Sequence, residues 1–208
     1  MPIQVLLATT SWVMIPLAWL PGHSGERRFR GRLGSAVTYV AITIGALAWI
    51  TMPLLAQPRF VDLLRARIAV AGGVLVATGV ILWAWSVRHL EPSVGWSDEI
   101  NPKYLVTEGP YRWMRHPIYV AGTILMVGWI LLNGAIYSLL LCPVFYLLFR
   151  FEAYLEERLV LGPKFGDEFH RYRELVPAFF GRLGTASLTL IYLLFAVAVA
   201  LGFVLTAG

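Results

Sequence analysis

The sequence has little charge, one cysteine and no clustered histidines, and each of these shortages excludes a class of protein. Charged residues make up 14% of the 208 residues, against about 25% in an ordinary soluble domain. A single cysteine, Cys142, excludes an internal disulfide. The four histidines are scattered without a recurring ligand spacing, so no metal site is predicted. What remains is a chain that is 58% hydrophobic, with a mean hydropathy of +0.70.

The hydrophobic residues occur in long blocks, which predicts an all-α polytopic membrane protein, because about 20 apolar residues cross a bilayer. About six transmembrane helices are predicted, at residues 3–20, 35–56, 68–87, 118–133, 135–149 and 186–205. The fourth and fifth are short and are interpreted as a helical hairpin broken at Asn133-Gly134. The first is interpreted as a retained helix rather than a signal peptide, because no basic region precedes it.

These spans predict one membrane domain over residues 1–208. It would consist of three N-terminal spans within 1–87, a catalytic core at 88–185 containing the hairpin 118–149, and a C-terminal span at 186–205. In the third span, Gly72, Gly73 and Gly79 favour close helix packing over a nucleotide loop, since no strand precedes them.

The distribution of basic residues predicts the orientation. The segment 26–32 carries four arginines and one glutamate, which places it in the cytoplasm. Counting spans from there puts the polar segments 88–117 and 150–185 on the same, cytoplasmic side. The arginines of segment 57–67 argue against an outside location for it. The net charge of +5 is therefore attributed to topology rather than to nucleic-acid binding. The excess of arginine over lysine favours a bacterial genome, and hence the bacterial cytoplasmic membrane.

The polar segment before the hairpin ends in residues suited to an anion. Gly109-Pro110 is a turn signal, and Pro117 is typical of a first helical turn. Arg115 and His116 are thus predicted at a helix N-terminus, where free N–H groups favour a carboxylate or phosphate. The alternative is that the arginines and tyrosines of this segment only anchor the helix at the headgroup layer.

The polar segment after the hairpin carries carboxylates close to the membrane. Residues 149–158 continue the hairpin helix, with Arg150 and Glu157 on one face and Glu152 and Glu156 on another, until Gly162-Pro163 ends it. Anionic headgroups would repel these glutamates, and a cationic ligand would offset that repulsion. The alternative is a solvated face. A following amphipathic helix, with apolar positions at Phe165, Phe169, Tyr172, Leu175 and Val176, is predicted to be a surface anchor or a lid.

Together the two polar segments resemble the isoprenylcysteine carboxyl methyltransferase and phospholipid methyltransferase superfamily, integral membrane enzymes that use S-adenosylmethionine. The resemblance covers roughly residues 83–180. It is carried by Leu105-Val106, Gly109-Pro110-Tyr111-Arg112, Arg115-His116-Pro117-Ile118-Tyr119 and Gly122, then Glu156-Glu157, Phe165-Gly166, Tyr172 and Val176-Pro177.

The resemblance implies that cytoplasmic polar segments form the cofactor pocket. The cofactor contacts it implies, together with Arg115 from the helix N-terminus above, are Lys103, Tyr104, Leu105, Val106, Tyr111, Arg115, His116, Pro117, Ile118, Tyr119 and Glu157. The prenylcysteine enzymes have an arginine where this chain has Ala153, and a histidine where it has Lys103. The prenylcysteine substrate is therefore in doubt.

The expected reaction is methyl transfer to a lipophilic acceptor that enters from the bilayer. Arg150 is the candidate to position a carboxylate acceptor, and Glu152 or Glu156 is the candidate base for an amine or phenol acceptor. Prenylcysteine, a phospholipid amine, an isoprenoid or quinone, and a small thiol all remain open as acceptors. Two other functions remain open, an NADPH-dependent reductase of the sterol-reductase type, using Arg112 and Arg115, and a membrane scaffold without turnover. The oligomeric state is not predicted.

Overall fold

The computed structural model describes residues 32–60, 62–94 and 102–181, which are mainly helical. The α-helices in this part of the chain are α1 (Arg32–Thr51), α2 (Asp62–Val94), α3 (Pro117–Asn133), α4 (Ile136–Leu140), α5 (Cys142–Glu156) and α6 (Gly162–Leu175). Short 3₁₀ helices lie at Met52–Leu54 and Gly109–Arg112, and a π-helical turn at Glu157–Leu161 joins α5 to α6. Within these ranges there is no strand, which confirms the all-α prediction.

Two helices in the described ranges are long and apolar enough to cross a membrane. They are Arg65–Glu91, with a mean hydropathy of 2.0, and the continuous run Ile136–Leu175, with 1.5. Thr43–Leu54 and Pro117–Asn133 are shorter apolar helices. The predicted spans 3–20 and 186–205 lie outside the described residues, so six spans stay a prediction. At 1.5 Å per residue, the 40-residue run is about 60 Å long, roughly twice the hydrocarbon thickness. Its polar half must therefore extend beyond the bilayer.

Helices α2 and α3 run antiparallel with their backbones in contact at glycines. A Cβ placed on Gly72 would lie 2.8 Å from the carbonyl oxygen of Gly128, and one placed on Gly79 would lie 2.9 Å from the backbone nitrogen of Leu125. The space around Gly73 is open. The sequence-based packing interpretation is confirmed for Gly72 and Gly79 but is wrong for Gly73.

The hairpin turns where the sequence predicted. Gly134 adopts a left-handed conformation (φ 66°), and its N–H caps the carbonyls of Ile130 and Leu131. Glycine is suited to this position because it has no Cβ to strain. On the way back, α5 packs antiparallel to α3, with Phe149 and Ala153 in one buried cluster with Val120. The segment after α1 pairs with the hairpin tip, since the Phe60 N–H donates to Gly134 O at 3.2 Å.

The prediction that Gly162-Pro163 ends the helix is wrong. The chain passes through the π-helical turn into α6, and Pro163 lies in the first turn of α6, where a missing N–H is tolerated. The helix bends instead at Gly166 (φ 48°). The amphipathic prediction for α6 is confirmed at Phe169 and Tyr172, which are buried. Leu175, by contrast, is 84% exposed.

Candidate functional site

The site lies where the residues after α6 pack against the start of α3. The backbone N–H groups of Arg115 and His116 donate to the carbonyls of Pro177 (2.9 Å) and Ala178 (3.1 Å). The Tyr172 hydroxyl donates to the carbonyl of Tyr111 at 2.6 Å. These bonds fix α6 and the residues after it against the 3₁₀ helix and the first turn of α3. Residues distant in sequence thereby meet at one helix N-terminus.

His116 lies buried between two consecutive glutamates. Its Nε2 is 2.8 Å from Glu157 Oε1, and its Nδ1 is 3.5 Å from Glu156 Oε2. The sequence placed Glu156 and Glu157 on different faces of a regular helix, whereas the structure brings both to one imidazole where α5 passes into the π-helical turn. Burial lowers the pKa of His116, but the hydrogen bonds and charges of Glu156 and Glu157 together outweigh burial and raise it.

Arg115 connects Glu157 to the end of α6. Its Nε donates to the same Glu157 Oε1 at 2.9 Å. Its Nη1 donates to the carbonyl of Arg173 at 3.1 Å and to that of Val176. Basic side chains commonly satisfy the last carbonyls of a helix in this way. Arg115 therefore fixes the end of α6 at the site, and Glu157 has two cationic partners that favour its ionised form. Arg115, His116, Glu156 and Glu157 are called the ionic cluster below.

Four rings, Tyr119, Tyr146, Phe149 and Phe179, form an aromatic wall beside the ionic cluster. Tyr119 stacks with Phe149 at 5.7 Å between ring centroids and with Phe179 at 6.5 Å. Tyr146 meets Phe179 edge-on at 5.7 Å. The Tyr119 hydroxyl donates to Glu156 Oε2 at 3.2 Å, so the wall and the cluster share one boundary.

Arg150 reaches this wall from its exposed side. Its Cζ lies 5.1 Å from the centroid of the Phe179 ring. Ala153, one turn later, is buried in the same cluster as Phe179. That Arg150 takes the place of the arginine missing at Ala153 stays a prediction.

Glu152 is a buried residue of α5, one turn before Glu156 of the ionic cluster. It is 6% exposed, and its Oε1 has no hydrogen-bond partner among the described residues. Its carboxyl interacts electrostatically with Glu156 and with the Tyr119 hydroxyl.

Tyr111, which is also buried, has its pKa raised by burial first and then by the charge of Glu156, so its phenol stays protonated.

The structure brings together seven of the predicted site residues, namely Tyr111, Arg115, His116, Tyr119, Glu152, Glu156 and Glu157. Pro117 and Ile118 form the first turn of α3. Lys103 and Tyr104 are exposed, and their backbones are bonded to Ser93 near the end of α2 rather than to the cluster. Val106 is buried and Leu105 is half-buried.

Sequence reasoning missed the aromatic wall apart from Tyr119. Phe149 and Tyr146 resemble ordinary apolar residues of a hairpin helix. Phe179 lies beyond the amphipathic helix and is 2% exposed. The available signal was the aromatic pair Phe179-Phe180, which follows Pro177 after the last motif of the resemblance.

The fold and the site define a helical membrane protein with a buried ionic cluster at a helix N-terminus. Residues 68–168 match the family model described as phospholipid methyltransferase. This part of the chain is therefore a phospholipid methyltransferase domain, of the membrane methyltransferase superfamily that also contains the isoprenylcysteine carboxyl methyltransferases. The match begins within α2 and ends before Tyr172 and Pro177. Neither a curated protein nor a solved structure matches the chain.

Proposed function

We propose that this protein transfers a methyl group from S-adenosylmethionine to a lipophilic acceptor at the cytoplasmic face of the membrane. The observation that carries the proposal is the cluster of Arg115, His116, Glu156 and Glu157 at the start of α3, inside the matched family domain. The family supplies the reaction class, and the cluster supplies groups that fit the cofactor.

The charges of the site fit the amino-acid end of S-adenosylmethionine, which is zwitterionic. The first turn of α3 offers N–H groups without intrahelical partners, beside Arg115 and His116, for a carboxylate. The carboxylates of Glu152 and Glu156 lie within reach of the same turn, for an ammonium. A sulfonium is also stabilised by the faces of aromatic rings, which Tyr119 and its neighbours supply.

The cofactor supplies an electrophilic methyl group on sulfur, so the protein has little acid–base chemistry to perform. Its residues hold the reactants in line and exclude water, which can contribute several kcal/mol. The aromatic wall is the dry surface available for this. Arg150, exposed beside Phe179, is positioned to bind an anionic group of an acceptor that arrives from the bilayer. For an acceptor with an N–H or O–H group, Glu152 or Glu156 would take the proton.

The proposal is tested by calorimetric titration of the detergent-purified protein with S-adenosylhomocysteine. We expect micromolar binding that is lost in Glu157→Gln, because the variant removes the negative charge that Arg115 and His116 share. Glu168→Gln, at an exposed position of α6, is the matched control and should bind like the wild type.

Absence of binding by a wild-type sample shown to be folded would overturn the proposal. NADPH is the next ligand in that case. Binding of NADPH instead would support the reductase, and binding of neither ligand would support a scaffold without turnover.

A further inference from the structure

The three glutamates of the site differ in how well they are satisfied. Glu157 Oε1 accepts from Arg115 and His116, and its Oε2 lies 3.9 Å from Arg173 Nε. Glu156 accepts from the Tyr119 hydroxyl. Glu152 Oε1, by contrast, is buried without a partner among the described residues. The carboxylate that the resemblance assigns to the cofactor is thus already engaged, whereas one oxygen of Glu152 has no hydrogen-bond partner among the described residues.

A buried carboxyl without a partner destabilises a protein unless a ligand satisfies it, since each unpaired buried polar group costs about 1–3 kcal/mol. Glu152 is 6% exposed, so water reaches it poorly. Glu152 lies one turn before Glu156 on the same helix, and it interacts electrostatically with Glu156 and with the Tyr119 hydroxyl. Burial, and then the charge of Glu156 one turn away, raise the pKa of Glu152 to about 8, so a bound cation would stabilise the ionised carboxylate.

The surroundings of Glu152 select the type of positive charge. Phe149, one turn earlier on α5, stacks with Tyr119, and Tyr119 stacks in turn with Phe179. The Tyr146 hydroxyl in the same wall is also buried without a partner among the described residues. Aromatic faces beside a carboxylate bind alkylated ammonium groups through cation–π attraction and a charge-assisted hydrogen bond.

We propose that Glu152, with the aromatic wall beside it, binds an alkylammonium group, and that Glu157 is a positioning residue that holds Arg115 and His116 in place. This inference rests on the proposed function. The ammonium can come from two sources, the amino-acid end of the cofactor or an amine headgroup on the acceptor. Both sources present the same chemistry to Glu152.

Calorimetry with paired ligands separates the two sources. S-adenosylhomocysteine is compared with methylthioadenosine, which lacks the amino-acid end. Glycerophosphoethanolamine is compared with glycerophosphoglycerol, which lacks the amine. We expect Glu152→Gln to weaken one amine-bearing ligand about ten- to hundredfold, the range of a charge-assisted hydrogen bond, while its amine-free partner is unchanged. The amine-bearing ligand whose affinity falls identifies the source of the ammonium.

Glu157→Gln should instead weaken S-adenosylhomocysteine and methylthioadenosine together, because it disorders the whole start of α3. Thermal unfolding without ligand is the second readout. We expect Glu157→Gln to lower Tm and Glu152→Gln to leave it unchanged or raise it, since no hydrogen bond of Oε1 is lost.

The inference is overturned if Glu152→Gln weakens both members of each pair equally, changes none of the four affinities, or lowers Tm as much as Glu157→Gln. Failure of the proposed function is a separate result, in which the wild type itself does not bind S-adenosylhomocysteine. The acceptor pair then still tests Glu152.

Discussion

His116 is the residue on which the ionic cluster depends. It is 4% exposed, and an imidazolium there is stabilised only because Glu156 and Glu157 face its two nitrogens. Arg115 shares Glu157 with it and also binds the end of α6, so His116 belongs to the network of contacts that joins α3 to α6. Loss of that charge therefore reaches beyond one side chain.

The raised pKa of His116 predicts a specific dependence of stability on pH. In the unfolded chain the pKa of a histidine is about 6.5. The folded protein binds the proton more tightly, so the stabilisation is fully present below the unfolded pKa and is lost as pH rises through the folded pKa. We expect the Tm difference between wild type and His116→Gln to be largest near pH 6 and to shrink as the pH rises.

The comparison of the two proteins at each pH cancels the titration of groups that are not coupled to His116. His170→Gln, at an exposed position of α6, is the control and should follow the wild-type curve. A difference between wild type and His116→Gln that stays constant from pH 6 to 9 would contradict the role of the imidazolium.

At the scale of elements, the contact between α2 and α3 determines where the start of α3 lies. The helices approach backbone to backbone at Gly72 and Gly128, where a Cβ on Gly128 would lie 2.7 Å from the Val76 nitrogen. Backbone atoms cannot move aside as a flexible side chain can. A larger residue at this point must push the two helices apart.

We expect Gly128→Ala to lower the free energy of unfolding by about 1–3 kcal/mol, the usual cost of overpacking. Gly73→Ala is the matched control, because the space around Gly73 is open. Replacement of glycine by alanine within a helix otherwise favours stability. Thermal unfolding in detergent measures both, and equal Tm values for the two variants would show that the contact does not constrain the helices.

The elements were predictable from sequence where the signal is local. Asn133-Gly134 marked the hairpin turn, and Pro117 marked the first turn of α3, because each acts through its own backbone geometry. The end of α5 was not predictable, since Gly162-Pro163 is a common stop signal, whereas here a π-helical turn precedes it and Pro163 lies in the first turn of α6. Phe179 was missed for a similar reason: its role depends on the pairing of Ala178 with His116, a contact between residues far apart in sequence.

At the scale of the whole molecule, the antiparallel helices place two structures at opposite ends. The start of α3 carries the ionic cluster, and the end of α3 meets the segment after α1 at the hairpin tip. The arginines of segment 57–67 argued for the cytoplasm. In the structure, however, the Arg59 guanidinium donates to the carbonyl of Asn133, the last residue of α3. Arg59 therefore has a structural partner and is a weaker topology signal than its charge suggests.

The two ends should accordingly face opposite sides of the membrane, with the cluster in the cytoplasm. Ala56→Cys and Glu168→Cys introduce thiols at exposed positions near the hairpin tip and on α6. The wild type serves as the blank, because its single cysteine, Cys142, is 7% exposed. With a membrane-impermeable maleimide, we expect Ala56→Cys to react in right-side-out vesicles and Glu168→Cys only in inverted ones.

Reaction of both from one side would place the loop and the cluster together and refute the antiparallel arrangement across the bilayer. The reverse pattern would keep that arrangement but put the site outside, where a cytoplasmic cofactor does not reach it.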